Sequence, residues 1–180
     1  NKDLRKMLDA YPKDKVFVVD EAYGDFHTES ALSLLKEYPN LLIVRTSSKS
    51  LSFAGMRLGF AIGSETLIEA LTTVKNSFNH FPVDRITQTA GIAACNETEY
   101  YIDNTKKIVN TRESFCKFLA EEGWEFVPTA TNFVLAKHPK LNGNEVYEKI
   151  KEKGILVRYF NMPLIKDYVR ITIGSTEEME

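Results

Sequence analysis

Two short apolar segments, each followed at once by polar and charged residues, constrain the fold of this chain most strongly. Residues 16–19 are all apolar and are followed directly by Asp20, and residues 41–44 are all apolar and are followed directly by Arg45. Short apolar runs bounded by polar residues are typical of strands buried in a sheet. Because open α/β sheets bind ligands beyond the carboxyl ends of their strands, the residues after both segments are predicted to line a binding site.

The polar side chains after the two segments have the chemistry of a site for pyridoxal phosphate (PLP). Asp20 and Tyr23 follow the first segment, and Lys49 and Arg57 follow the second. A lysine amine forms a Schiff base with an aldehyde, a carboxylate keeps a pyridine nitrogen protonated, and an arginine pairs with phosphate. Taken alone, a lysine just past a buried strand would be interpreted as a solvated residue at the rim of the sheet.

The residues around these positions resemble the fold-type I aminotransferases, and among them the histidinol-phosphate aminotransferase family. The similarity rests on Asp-Glu-Ala-Tyr at 20–23, Ser-Lys-Ser at 48–50 and Ala-Gly-Met-Arg-Leu-Gly-Phe at 54–60, and it extends over residues 14–174. It implies PLP-dependent transfer of an amino group between L-histidinol phosphate and 2-oxoglutarate or glutamate, in histidine biosynthesis. It also implies a cytoplasmic homodimer.

The motifs specify the superfamily more sharply than the substrate. An aromatic aminotransferase and a threonine-phosphate decarboxylase are therefore alternatives within the same fold. An alternative of another class is a non-catalytic module that uses the same scaffold for binding or assembly.

The resemblance gives three residues direct roles on the cofactor ring. Lys49 is the catalytic residue, which attaches to the cofactor and then moves the α proton of the substrate. Asp20 pairs with the pyridine nitrogen, and Tyr23 bonds the phenolic oxygen of the ring. For Asp20 the alternative is a cap or turn at the end of the strand.

The phosphate of the cofactor is assigned, again by resemblance, to residues on either side of Lys49. Ser48 and Arg57 are expected to bind it, with Thr46 or Ser47 assisting. Arginine offers a planar fork that matches phosphate oxygens. The hydroxyl side chains have an alternative role in simple turn chemistry.

Arg158 and Arg170 are the predicted substrate-binding cations. Each lies in an otherwise apolar predicted strand, where an unpaired charge would be costly. A salt bridge to an acid is one explanation, and the resemblance implies another, that both arginines bind the substrate phosphate. Asn132 lies at a predicted strand start and is assigned either to the mouth of the site or to a turn.

The pattern of elements predicts an α/β fold with two parts. By resemblance, residues 1–96 are the C-terminal part of an aspartate aminotransferase-like, PLP-binding large domain, and residues 97–180 are a small C-terminal α+β domain with a bridging helix. The large domain is expected to be incomplete, lacking the half that precedes the aspartate motif. Predicted strands are residues 16–20, 41–45, 57–63, 126–127, 132–136, 155–159 and 169–173, and predicted helices are residues 3–11, 30–37, 64–75, 83–95, 97–122 and 143–153.

Composition serves mainly to exclude classes of function and kinds of site. A net charge of -2 and a pI near 6.0 give no general attraction to nucleic acid. The longest apolar run is far short of a membrane span, and no signal peptide is visible. Cys95 and Cys116 lack metal-type spacing and fit a reducing cytosol, and the three histidines are scattered, so no metal site is predicted.

Overall fold

The computed structural model describes residues 1–26, 29–79, 81 and 83–180. The chain divides into two compact units, residues 1–102 and 103–180, so the division falls within a long helix, Thr98–Glu121. The sequence placed a domain boundary near residue 96. Two of the three histidines considered for metal binding, His27 and His80, lie outside the described residues.

The first unit is built on a three-stranded sheet in the order β1-β2-β3. Strand β1 is parallel to β2, with Phe17 opposite Leu41, and β3 is antiparallel to β2, with Leu42 opposite Gly63. The elements of this unit are α1 (Lys2–Ala10), β1 (Phe17–Asp20), β2 (Leu41–Thr46), β3 (Gly59–Gly63), α2 (Glu65–Phe78), α3 (Arg85–Asn96) and the start of α4 (Thr98–Glu121).

The core of the first unit lies on one face of this sheet. Leu41 and Ile43 of β2 are fully buried against Leu8 of α1 and Leu34. Side chains alternate between the two faces of a strand. The other face is open at β1, where Val18 is 54% exposed, whereas Leu42 of β2 on that same face is 6% exposed.

Two sequence predictions in this unit are wrong in detail. The predicted helix 30–37 is a short 3-10 segment, Ala31–Leu34. The predicted strand 57–63 begins only at Gly59, because Arg57 follows the 3-10 turn Ala54–Met56 with a left-handed backbone (φ 52°) that a strand cannot contain.

Two helix starts show how local contacts set the boundaries. Asn96 lies between the predicted helices 83–95 and 97–122, and in the structure it is the last residue of α3. Ser64 occupies the N-cap of α2, but its hydroxyl donates to the carbonyl of Pro39 at 2.8 Å and accepts no hydrogen bond from a helix amide.

The second unit contains a four-stranded antiparallel sheet in the order β4-β5-β7-β6. Its core consists of Leu119 from α4 with Val134, Ala136 and Ile173. The predicted strand 155–159 is reduced to its last two residues. The further elements are β4 (Glu125–Phe126), β5 (Phe133–Lys137), α5 (Gly143–Glu152), β6 (Arg158–Tyr159), β7 (Val169–Thr172) and α6 (Thr176–Met179).

Across the described ranges, none of the helices combines the length and the apolar character that a membrane span requires.

Candidate active site

Lys49 lies in the turn that follows β2, where its side chain is half-buried. Its Nζ is 5.4 Å from the centre of the Tyr23 ring. Among the residues that the structure describes, Nζ has no hydrogen-bond or ion-pair partner. The amine is therefore not committed to a structural carboxylate, which is the state that a nucleophilic lysine requires.

Asp20 is the last residue of β1 and lies on the open face of the sheet, two residues beyond the exposed Val18. One carboxylate oxygen accepts a 2.8 Å hydrogen bond from the N–H of Ala22, as in an Asx turn. Within the described ranges no partner is seen for the other oxygen. Asp20 therefore stabilises the turn at the end of the strand with one carboxylate oxygen, and its other oxygen is available as an acceptor.

The hydroxyl groups before Lys49 divide into two kinds. Thr46 Oγ1 donates to Ser48 Oγ at 2.9 Å and accepts from the Ser48 N–H at 3.1 Å, and both residues are half-buried. Ser47 is fully buried and donates to the carbonyl of Leu58 at 2.8 Å. Ser47 is therefore occupied in joining the two strand ends, and only Thr46 and Ser48 stay candidates for binding an anion.

Arg57 presents its side chain on the surface. One guanidinium nitrogen donates to the carbonyl of Ala54 at 3.1 Å. The left-handed backbone at this residue is rare for an L-amino acid other than glycine and carries a steric cost. Such strained positions cluster at functional sites, so the conformation supports a functional interpretation of Arg57.

An ionic network next to Lys49 was not predicted from the sequence. Arg45 at the end of β2 bonds Glu21 at 2.8 Å and Asp25 at 3.2 Å, and Asp25 in turn accepts a hydrogen bond from Ser50. One signal could have indicated it: an arginine directly after an apolar strand carries a charge that needs a partner.

Glu21 is the most buried acid of this network, with a side chain only 9% exposed. Burial alone would raise the pKa of its carboxyl group, but hydrogen bonds from the Ala31 N–H, Arg45 and Ser30 outweigh that effect and hold the pKa below the usual value. Glu21 is consequently a fixed anion at neutral pH.

In the second unit the two predicted arginines lie opposite each other on neighbouring strands, Arg158 on β6 and Arg170 on β7. The Phe160 ring is 5.3 Å from the Arg158 guanidinium and 5.6 Å from that of Arg170, and the Phe133 ring is 5.2 Å from Arg170. The aromatic neighbours were not singled out from the sequence.

Neither arginine is neutralised in the described part of the chain. No carboxylate there lies within salt-bridge distance of Arg158 or Arg170, and the buried Nε of Arg170 has no hydrogen-bond partner. The salt-bridge explanation for these charges is therefore wrong for the described residues. Two adjacent guanidinium groups with an unused buried donor are suited to an anion.

Asn132 directly precedes β5, and its backbone carbonyl accepts a 2.9 Å hydrogen bond from the N–H of Ile173. The carbonyl of the preceding residue, Thr131, accepts from the buried Arg112 at 2.7 Å. These contacts fix the backbone of the turn. The role of the Asn132 side chain at the mouth of the site stays a prediction.

The structure thus groups the predicted residues within each unit. Lys49 and Tyr23 are in contact in the first unit, with Asp20 at the end of the neighbouring strand, and Arg158 and Arg170 are paired in the second.

The match to a family model identifies the family of this chain. The sequence model for aminotransferase class I and II matches residues 1–180. The chain belongs to the class I and II aminotransferases. This confirms the resemblance and the predicted fold class.

Individual aminotransferases give the same result. A histidinol-phosphate aminotransferase of Syntrophus aciditrophicus is 47% identical over 178 residues, which are 99% of this chain and 49% of that protein. The histidinol-phosphate aminotransferase of Clostridium acetobutylicum superposes with a TM-score of 0.87 at 25% identity, over 99% of this chain and 56% of the other.

The corresponding enzyme of Sinorhizobium meliloti, solved in complex with pyridoxal-5'-phosphate, has a TM-score of 0.83 at 28% identity, over 99% of this chain and 49% of the other. The chain spans about half the length of the aminotransferase relatives it matches.

Proposed function

We propose that the full-length protein transfers an amino group between L-histidinol phosphate and 2-oxoglutarate, with PLP as its cofactor. The observation that carries the proposal is the uncommitted amine of Lys49 beside the Tyr23 ring, at the sheet edge where β1 ends in Asp20. The names of the similar proteins, and the PLP in the Sinorhizobium meliloti structure, support it.

The donors and acceptors of the first unit fit this cofactor. When bound, PLP supplies an aldehyde carbon and a ring that takes up electron density from the substrate. Lys49 would hold the cofactor through its amine and, when not attached to it, would move the proton at the substrate α carbon. The available oxygen of Asp20 would accept a hydrogen bond from the N–H of the pyridine ring and so keep that nitrogen protonated.

The remaining contacts would orient the cofactor. The Tyr23 hydroxyl would donate to the phenolic oxygen of the ring. Ser48, Thr46 and the exposed guanidinium of Arg57 would donate to the phosphate, and arginine in particular matches phosphate oxygens with two parallel hydrogen bonds.

The arginine pair of the second unit is proposed to bind the anionic groups of both substrates. L-Histidinol phosphate carries a phosphate and 2-oxoglutarate carries two carboxylates, so one cationic group can serve both in turn. Arg158 and Arg170 are the proposed anion ligands, and the unused Nε of Arg170 is the donor that a bound anion would satisfy. Asn132 is proposed to lie at the mouth of the site.

The wider assignments belong to the same proposal. Residues 1–96 are assigned to the PLP-binding large domain and residues 97–180 to the small domain. A homodimer in the cytoplasm is inferred from the family resemblance.

Transamination assays on the full-length protein test the proposal. We expect turnover with L-histidinol phosphate and 2-oxoglutarate, and loss of turnover by several orders of magnitude in Lys49→Ala. Lys36→Ala, which removes an exposed lysine of the same unit, serves as the matched control and should retain activity.

Faster turnover with aromatic amino acids than with L-histidinol phosphate would assign an aromatic aminotransferase instead. Full activity in Lys49→Ala would contradict the proposed chemistry altogether.

A further inference from the structure

We infer that Asp25 is a positioning residue for Lys49, acting through its hydrogen bond from Ser50 and its ion pair with Arg45. This inference rests on the proposed function, in which Lys49 attaches to the cofactor.

The base of the network is the contact between the two strand ends. Arg45 Nε and Nη2 both donate to Glu21 Oε2, at 3.0 and 2.8 Å. Glu21 also accepts from the Ser30 hydroxyl and, at 2.6 Å, from the Ala31 N–H. Because one carboxylate receives four groups from separate segments, its position and that of Arg45 are fixed relative to the sheet.

Asp25 extends this base to the turn that carries Lys49. Its Oδ1 accepts from Arg45 Nη1 at 3.2 Å, and its Oδ2 accepts from the hydroxyl of Ser50. Ser50 is 8% exposed and is the residue directly after Lys49. The buried hydroxyl therefore has one acceptor that ties the lysine turn to the rest of the unit.

The same aspartate lies two residues after Tyr23, whose ring faces the Lys49 amine. Asp25 thus joins the turn after β1, which carries the ring, to the turn after β2, which carries the amine. Loss of the link would let the two turns move independently, and the 5.4 Å contact between amine and ring depends on both.

The network lies on the packed side of the sheet. Arg45 alternates with the fully buried Leu41 and Ile43, so it shares their face. Asp20 is paired with Val44 and therefore lies on the opposite, open face. Since the proposed cofactor contacts start from the open face, Asp25 acts on the chemistry only through the placement of Lys49.

The test separates positioning from a merely structural contribution by measuring attachment of PLP in place of turnover. Apo forms of the full-length protein are mixed with PLP, the product is trapped with borohydride, and labelling of Lys49 is followed by mass spectrometry. Thermal unfolding of the same apo-proteins is recorded in parallel. The variants are Asp25→Ala and Ser50→Ala, which remove the two partners of one hydrogen bond.

We expect both variants to label Lys49 about tenfold more slowly than the parent, the effect of losing one hydrogen bond to a charged group. Ser50→Ala removes no charge, so it reports on the link even if Asp25→Ala folds poorly. The matched control is Glu37→Gln, which breaks the ion pair between Arg5 and Glu37 elsewhere in the same unit. It should change thermal stability slightly and leave the labelling rate unchanged.

Parental labelling rates in both Asp25→Ala and Ser50→Ala would overturn the inference, even if their unfolding temperatures fall, and would leave the proposed function intact provided that Lys49→Ala is not labelled. Attachment of PLP to another lysine of Lys49→Ala, at the rate of the parent, would overturn the proposed function and this inference together.

Discussion

Substitution of Asp20 is expected to lower the rate of catalysis without preventing attachment of the cofactor. In the full-length protein, Asp20→Ala should still attach PLP to Lys49, because that amine does not contact the carboxylate through any hydrogen bond in the structure. Turnover should fall about 10²–10³-fold, the usual effect of losing one preorganised electrostatic group. Borohydride labelling and steady-state kinetics measure the two quantities.

Asp14→Ala is the control for Asp20→Ala, since Asp14 is an exposed aspartate in the turn before β1 and makes only a 3.9 Å surface contact with Lys15. It should behave as the parent. Near-parental turnover in Asp20→Ala would remove Asp20 from the mechanism.

Residue by residue, the sequence was informative where chemistry follows directly from position along the chain. Asp20, Tyr23 and Lys49 could be proposed because each lies at the end of an apolar strand or within a few residues of it. The pairing of Arg45 with Asp25 could not, because it depends on the register of β1 against β2 and on the path of the turn between them.

Among the elements, helix α5 begins with a capping box formed by Asn142 and Glu145. Asn142 Oδ1 accepts from the N–H groups of Asn144 and Glu145, at 3.0 and 3.1 Å, and Glu145 Oε2 accepts from the Asn142 N–H at 2.9 Å. Asn142→Ala should lower the free energy of unfolding by about 1 kcal/mol. Denaturant unfolding measures this loss, and faster hydrogen exchange at the Glu145 amide locates it.

Ser64→Ala at the N-cap of α2 is the matched comparison. Because its hydroxyl donates to Pro39 and caps no helix amide, the first turn of α2 should exchange at the parental rate. Equal acceleration at both helix starts would contradict this assignment of the caps.

The sequence predicts elements well when periodicity covers the whole element, as for β2, β5 and α5. It fails where one residue overrides the pattern. Arg57 delays β3 by two residues through its backbone, and no propensity rule forecasts a left-handed arginine. Helix α6 was missed, although Ser175 and Glu178 have the spacing of a capping box and form one.

At the scale of the molecule, each unit has its own buried cluster. Leu34 is 0% exposed in the first cluster, and Val134 is 0% exposed in the second. Leu34→Ala should destabilise the chain by about 2–5 kcal/mol, from lost burial plus the cavity left behind. Hydrogen exchange should then accelerate more in residues 1–102 than in residues 103–180.

Val134→Ala is the reciprocal variant, and its effect should concentrate in residues 103–180. A uniform acceleration along the chain in both variants would show that the two clusters unfold as a single cooperative unit.

The backbone of Arg57 has a consequence for attempts to make this protein more heat-resistant. A left-handed L-residue carries a penalty of about 1–2 kcal/mol that glycine does not. A search guided by thermostability alone would therefore select glycine at position 57, and it would delete the guanidinium proposed to hold the cofactor phosphate. Glycine at position 57 is expected to raise thermostability and to weaken retention of the cofactor. A library for directed evolution should therefore leave this position unchanged.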